Sequence, residues 1–267
     1  MQKTLLALSI LSFAAAASAA PDSQETPLHP IKDGRYTVST GYEYFNEKVL
    51  NEKSSVNSFT LRGRADIPLA QQHAIRAELG YIRHSFDTKA NGVTLVDGGK
   101  ADTIDLYAGY LYSPSGFKQG GLRVGGGLGY RYTDNDNRAH RTVHSPNEVD
   151  ANASVLYLKA QAEYEQDLGG GWSITPWGEA KVSLRRRIET KWSQVYTVPD
   201  ETHKGSSYGI SLGVDAQKQF TPNLALTFGP YYHYVHYKNN ARDHAGYHIN
   251  SSTTRSHGFG IRAGLRF

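Results

Sequence analysis

Trp172-Ser173-Ile174-Thr175-Pro176-Trp177-Gly178-Glu179-Ala180-Lys181-Val182-Ser183-Leu184-Arg185 separates by parity. Ser173, Thr175, Trp177, Glu179, Lys181, Ser183 and Arg185 fall on one side, and Trp172, Ile174, Pro176, Gly178, Ala180, Val182 and Leu184 on the other. A period of two is the period of a β-strand. Upstream, Ile75, Ala77, Leu79 and Tyr81 oppose Arg76, Glu78 and Gly80, and at the C-terminus Phe259, Ile261, Ala263, Leu265 and Phe267 oppose Gly260, Arg262, Gly264 and Arg266. In each stretch the charges keep to one face.

The same alternation predicts strands at roughly 35–48, 55–69, 73–87, 102–113, 121–134, 151–167, 171–187, 205–220, 223–239 and 254–267. Each exceeds the ~9 to 11 residues that cross a bilayer at a tilt. Short connections at 71–72, 113–120, 169–171 and 221–223 alternate with longer ones near 49–54, 88–101, 135–150, 188–204 and 240–253. Short periplasmic turns and long outer loops are the pattern of a bacterial outer-membrane barrel. The predicted fold is therefore all-β: a closed antiparallel transmembrane barrel of ten strands, with both ends in the periplasm. A soluble β-sandwich also alternates, but it has no need of this loop-length rule and rarely uses strands so long.

Residues 1–19 read as a secretory leader, with Lys3, an apolar run from Leu5 to Phe13, and an Ala17-Ser18-Ala19 cleavage pattern. Residues 20–34 form a short periplasmic segment, and 35–267 the barrel with five outer loops. The sequence has 18 tyrosines, 27 glycines, one methionine and no cysteine. Disulfides, thiolate metal sites and a catalytic thiol are thereby excluded. Net charge is +4, or +3 without Lys3, and no nucleic-acid partner is expected. Tyr36, Tyr42, Tyr44, Tyr110, Tyr112, Tyr130, Tyr132, Tyr164, Tyr232 and Tyr234 fall on the lipid side near strand ends, as girdle aromatics.

Arg62, Arg64, Asp66, Arg76, Glu78, Asp105, Arg123, Arg131, Lys159, Glu163, Glu179, Lys181, Asp215, Arg262 and Arg266 face inward by parity. In so narrow a lumen, mixed signs read as a self-neutralising plug. The alternative is an arginine-lined, anion-selective pore.

Several blocks bring a family into view: Arg64-Ala65-Asp66-Ile67-Pro68, Ile104-Asp105-Leu106-Tyr107-Ala108-Gly109-Tyr110, and Arg123-Val124-Gly125-Gly126-Gly127-Leu128-Gly129-Tyr130. Leu168-Gly169-Gly170-Gly171-Trp172, Thr175-Pro176-Trp177, Gly229-Pro230-Tyr231-Tyr232 and Gly260 through Phe267 follow in the same order. Together they resemble the Opc family of outer-membrane adhesins and invasins, over nearly all the mature chain. The resemblance implies a monomeric ten-stranded barrel whose loops hold a basic cleft. It also implies partners among sulfated or sialylated host glycans, and matrix or serum proteins that bridge to host receptors.

The outer loops hold residues suited to such ligands. Arg138, Arg141 and His144 lie in the third loop, Arg185, Arg187 and Lys191 at the fourth, and Lys238 and Arg242 at the fifth, with Tyr196 and Tyr237 among them. Forked guanidinium donors bind two oxygens of a sulfate or carboxylate, and tyrosine stacks on sugar faces. Parity sends Arg185 and Arg187 inward to the mouth and Arg186 outward to lipid headgroups. The competing account is that Asp134, Asp136, Glu148, Asp150, Glu189, Asp200, Glu201 and Asp243, or outer-leaflet lipid phosphates, neutralise these cations.

His140, His144, His203, His244 and His248 also cluster in the loops, where mild acid would add charge. Two of the pairs are four apart, a spacing without helical meaning on a loop, so no metal or cofactor is expected. Omptin-type proteolysis is a further alternative, with Asp134, Asp136, Asp243 and His244 as its carboxylates and base. The leading expectation is a non-enzymatic adhesin; a small anion-selective channel is the runner-up.

Overall fold

The structure, a computed structural model, describes residues 33–117 and 120–267. The expected leader at 1–19, and all but the end of the segment at 20–34, lie outside the described residues. The strands are β1 (Arg35–Val49), β2 (Glu52–Ala70), β3 (His73–Ala90), β4 (Val93–Tyr112), β5 (Gly121–Asp136) and β6 (Ala151–Gly169). Then come β7 (Trp172–Thr190), β8 (Glu201–Thr221), β9 (Leu224–Asn239), the short β10 (Arg242–His244) and β11 (Tyr247–Ile249), and β12 (Ser252–Arg266). β1 to β9 and β12 form one closed antiparallel barrel, and β10 pairs only with β11.

Lipid leaves no water to satisfy a free sheet edge, so the wall must close. Closure is made by β1 against β12, in unbroken register from Thr37 opposite Arg266 to Val49 opposite Thr254. The outward face carries exposed Val38, Phe59, Leu79, Ile104, Leu128, Leu158, Leu212 and Ile261. On a protein in water such a surface would be a liability; in a bilayer it is the wetted face. The girdle tyrosines share it, with Tyr42, Tyr44, Tyr110, Tyr130 and Tyr164 exposed.

Two expected outer loops are strand instead. Residues 49–54 shrink to a turn at Leu50-Asn51, and 88–101 to a turn at Asn91-Gly92, as β2, β3 and β4 run on beyond the lipid zone. Asn91 and Gly92 both adopt positive φ, 50° and 83°, the combination a tight type I′ hairpin demands. The apolar residues there, Val93, Leu95 and Val96, do not keep to one parity, so alternation of hydrophobicity gave no sign of these strand ends. Long outer connections remain at 137–150, 191–200 and 240–251.

The inward face is packed with matched charge. Arg76, 2% exposed, forks between Asp66 (Nε to Oδ1 2.7 Å, Nη2 to Oδ2 2.8 Å) and Glu163 (Nη1 to Oε2 3.0 Å, Nη2 to Oε1 2.9 Å). Arg123 reaches Glu163 at 3.2 Å and Glu165 at 2.6 Å, and Arg64 approaches Asp66 at 3.3 Å. One layer outward, Lys159 pairs with Glu78 at 2.8 Å while Lys181 pairs with Glu179 at 3.0 Å. Arg131 and the Tyr157 hydroxyl both donate to Asp105, each at 2.6 Å. Arg262 pairs with Asp215 beneath Trp177.

Glycine makes room for the rings among these charges. A Cβ on Gly129 would stand 2.1 Å from the Tyr157 ring, inside any allowed contact. A cavity of about 90 Å³ remains among Arg62, Arg64, Arg76, Glu163 and their neighbours, polar and roomy enough to hold water. Below it a vestibule of about 1340 Å³ opens between the periplasmic turns. The charge pairing expected from parity is present at these levels of the lumen.

Replacing Arg76 with Met leaves the buried Asp66 and Glu163 carboxylates without their shared cation. Because Arg64 and Arg123 still reach them, the loss should be about 3 kcal/mol, the low end for a broken buried pair. Urea unfolding, followed by the gel-mobility difference between folded and unfolded barrel, checks this; a change below about 1 kcal/mol would contradict a structural role for the fork.

Candidate functional site: the outer loop platform

With the lumen filled, chemistry accessible from outside resides on the loops and the strand ends that carry them. Asp150 is the organising residue. Its Oδ1 accepts from the Arg138 backbone N–H at 2.9 Å, its Oδ2 accepts from Gln194 Nε2 at 2.6 Å, and its own N–H donates to Gln194 Oε1 at 3.0 Å. The Lys191 N–H donates to the Asp150 carbonyl at 3.0 Å. The third and fourth loops are thereby fastened side by side.

Other bonds extend the platform. Thr142 donates through its hydroxyl to the Thr94 carbonyl at 2.6 Å and through its N–H to Leu95 at 3.0 Å, which ties the third loop to the β3–β4 hairpin. Glu201, buried at the start of β8, accepts from Trp192 Nε1 at 3.1 Å and pairs with Arg242. That links the fourth loop to the fifth, as does His244 Nε2 at 3.0 Å from the Pro199 carbonyl.

The ten residues selected from sequence are dispersed by this geometry. Arg138, Arg141, His144, Lys191 and Tyr196 sit on the joined third and fourth loops. Arg141 donates to the Arg138 carbonyl at 2.7 Å, and Tyr196 lies 6.0 Å from the Trp192 ring. Arg242 is engaged by Glu201, one of the acids suspected of neutralising the loops. Tyr237 is inside the barrel, with the Arg186 guanidinium 5.0 Å from its ring.

Arg185 and Arg187 do not face the mouth. Leu156 stands opposite Arg185, whereas the next pair down is Tyr157 with Ser183, so β7 carries one extra residue at Leu184. This bulge reverses the parity beyond it. Arg185 now shares a face with Leu156 and Tyr130, and Arg187 stands beside Lys204 on the outer wall. Arg186 instead points inward, where it donates to Asn239 Oδ1 at 2.5 Å. Lys238 is exposed on the outer wall too, opposite Ser206. Three consecutive arginines conceal parity by their nature, and nothing in the residue types marked the bulge.

Residues outside the sequence selection do much of the organising. Gln194 and Trp192 had no local signal, because their partners Asp150 and Glu201 lie on other elements. The hydrolase alternative is not assembled. Asp134 points outward opposite Asp102, Asp243 pairs with His248 at 2.7 Å on an exposed hairpin, and His244 is turned to Pro199.

The outer membrane protease OmpT of Escherichia coli is similar at a TM-score of 0.51 and 12% identity, over 92% of this chain and 99% of that one. At that identity the likeness concerns the fold alone. The translocator domain of the autotransporter NalP from Neisseria meningitidis aligns at 0.48 and 10% identity, covering 98% and 97%. The β domain of the Bordetella autotransporter BrkA aligns at 0.47 and 13%, covering 88% and 98%. No curated protein sequence matches the chain.

Partial burial pushes the Asp150 carboxyl up, but the Arg138 backbone N–H and the Gln194 amide outweigh it and hold the group below the usual carboxylate range. A depressed folded value means the clamp contributes fully above the unfolded value of about 3.9 and fades as pH falls through the folded one. Asp150→Ala should speed tryptic cleavage at Arg138, Arg141 and Lys191 roughly tenfold at neutral pH, as expected for losing hydrogen bonds to a charged group. Unchanged cleavage would mean that the two loops are held by something else.

The parity blocks, the closed ten-stranded wall and the match of residues 31–267 to the family described as outer membrane protein OpcA agree, and the chain belongs to that family.

Proposed function

We propose that this outer-membrane protein is an adhesin or invasin. Its loop platform would take acidic host glycans, heparan-sulfate-like or sialylated, or the matrix and serum glycoproteins that bear them. One observation carries the reading: Arg138, Arg141 and Lys191 stand on two loops fastened together by Asp150, and none of the three side chains forms an ion pair with a carboxylate among the described residues, Lys191 lying only in the wider field of Asp150 and Asp200. Arg242, by contrast, is already engaged by Glu201. Unpaired cations on an ordered backbone are pre-organised for sulfate or carboxylate, because the ordering has been completed before the ligand arrives.

Tyr196, exposed beside Trp192, offers a sugar face a flat apolar partner. The reading requires no cofactor and no bond making. Ion pairing of the Arg76 and Lys159 layers supports this reading over the channel alternative.

Chromatography on immobilised heparin provides the test. The parent protein should be retained at low salt and released as screening rises toward physiological ionic strength and beyond. Arg138→Ala with Lys191→Ala should weaken binding roughly tenfold, two exposed ion contacts of about 0.7 kcal/mol each. Arg185→Ala with Arg187→Ala should leave retention unchanged, since both side chains face away from the platform. Parent-like retention by the first pair would remove the platform from the binding site.

A further inference from the structure

The bulge that turns Arg185 and Arg187 outward adds them to a row of cations along one side of the barrel. On five contiguous strands, β7, β8, β9, β12 and β1, the exposed outer ends carry Arg185, Arg187, Lys204, Lys238, Arg255 and Lys48. Beside Arg185 their outward neighbours are the aliphatic Leu184 and Leu156; elsewhere along the row they carry hydroxyl, amide, imidazole or aromatic groups, and among the described residues the one acid facing outward on these strand ends is Glu189, at the extreme end of β7. We infer that this half-collar is a docking surface for the phosphate groups of an anionic glycolipid in the outer leaflet.

Height supports the assignment. Lys48 lies four residues beyond the exposed girdle residue Tyr44, about 10 Å further out at ~3.3 Å per residue and a tilt of about 40°. Arg255, opposite Lys48, lies the same number of residues beyond Phe259, itself 71% exposed on the lipid face. The row therefore begins where acyl chains end and phosphorylated sugars begin.

Register supports it as well. Lys48 stands opposite Arg255 on one side and Lys53 on the other, and Arg187 stands opposite Lys204. Like charges directly across a strand pair oppose folding. None of these five side chains reaches a carboxylate among the described residues, and no hydrogen bond engages them. The row runs on to β2 and β3, where Lys53 also stands opposite Lys89; β4 and β5 differ, for there Asp102 opposes Asp134 and Lys100 has Asp136 across from it. An external polyanion lying on the cationic half would remove the repulsion, and an outer leaflet of phosphorylated glycolipid supplies one at that depth. The inference is independent of the loop platform, which uses other residues on another face.

The test titrates the refolded full-length chain, in neutral detergent with EDTA, with bisphosphorylated lipid A and with the same glycolipid stripped of phosphate. Native mass spectrometry reads occupancy, and the unfolding temperature reads folding. The parent should bind the bisphosphorylated form at least tenfold more tightly than the stripped form. Lys48→Ala with Arg255→Ala, and Arg187→Ala with Lys204→Ala, should each weaken that binding at least fivefold, while Lys100→Ala should not. Without glycolipid, both double variants should unfold no earlier than the parent, since each removes a like-charge opposition. Lys48→Gln, which keeps the stem, should show the same direction of loss should a double variant refold poorly. Equal affinity for the two glycolipids, or parent-like binding by both double variants, would overturn the proposal. Loss of heparin retention by the two collar double variants with their glycolipid binding intact would overturn it too, by reassigning the collar to soluble acidic glycans.

Discussion

Every backbone N–H and C=O in the lipid-facing wall has to be satisfied by the protein itself, and the closed register of β1 on β12 is how this chain meets that demand. Much of the rest follows. Closing ten tilted strands confines the inner face to a lumen that side chains can span, so any charge placed there must be answered by another across it. Arg76 from β3 reaches back to Asp66 on the adjacent β2 and across to Glu163 on β6. Lys159 from β6 likewise reaches Glu78 on β3. These bonds brace the wall internally while the outer face remains apolar for lipid.

A filled lumen moves function to the outside, and there the basic residues divide by environment. Some are engaged within the protein, as Arg242 is by Glu201 and Arg186 by Asn239. Others, on the loops held by Asp150, form no ion pair with a carboxylate among the described residues. A third set lies along the outer wall just above the aromatic girdle. Composition alone could not have separated these groups, because all are arginine or lysine near strand ends. The difference lies in one bulge, one carboxylate clamp and the register of neighbouring strands.

This also explains which parts of the molecule were legible in the sequence. Wherever an apolar face meets lipid and a charged face meets the lumen, parity was readable, and Glu78, Asp105, Lys159 and Glu179 were placed inward correctly. Beyond the lipid the two faces of a strand no longer differ in hydropathy. There β2, β3 and β4 extended unseen, although Asn91-Gly92 carried a usable hairpin signal. Contacts such as Asp150 with Gln194 join distant loop residues without any local spacing rule, and only three dimensions reveal them. The outward parity of Lys48 and Arg255 was available from the start, yet their apposition depends on pairing two strands from opposite ends of the chain.

The central claim is that matched charges occupy the lumen and leave no continuous path through it. Single-channel recording of the refolded protein in planar bilayers addresses this directly. The account predicts a quiet baseline with no steady conductance step at either polarity. A reproducible open level, particularly one selective for anions, would contradict it and return the arginines of the inner face to the role of a pore lining.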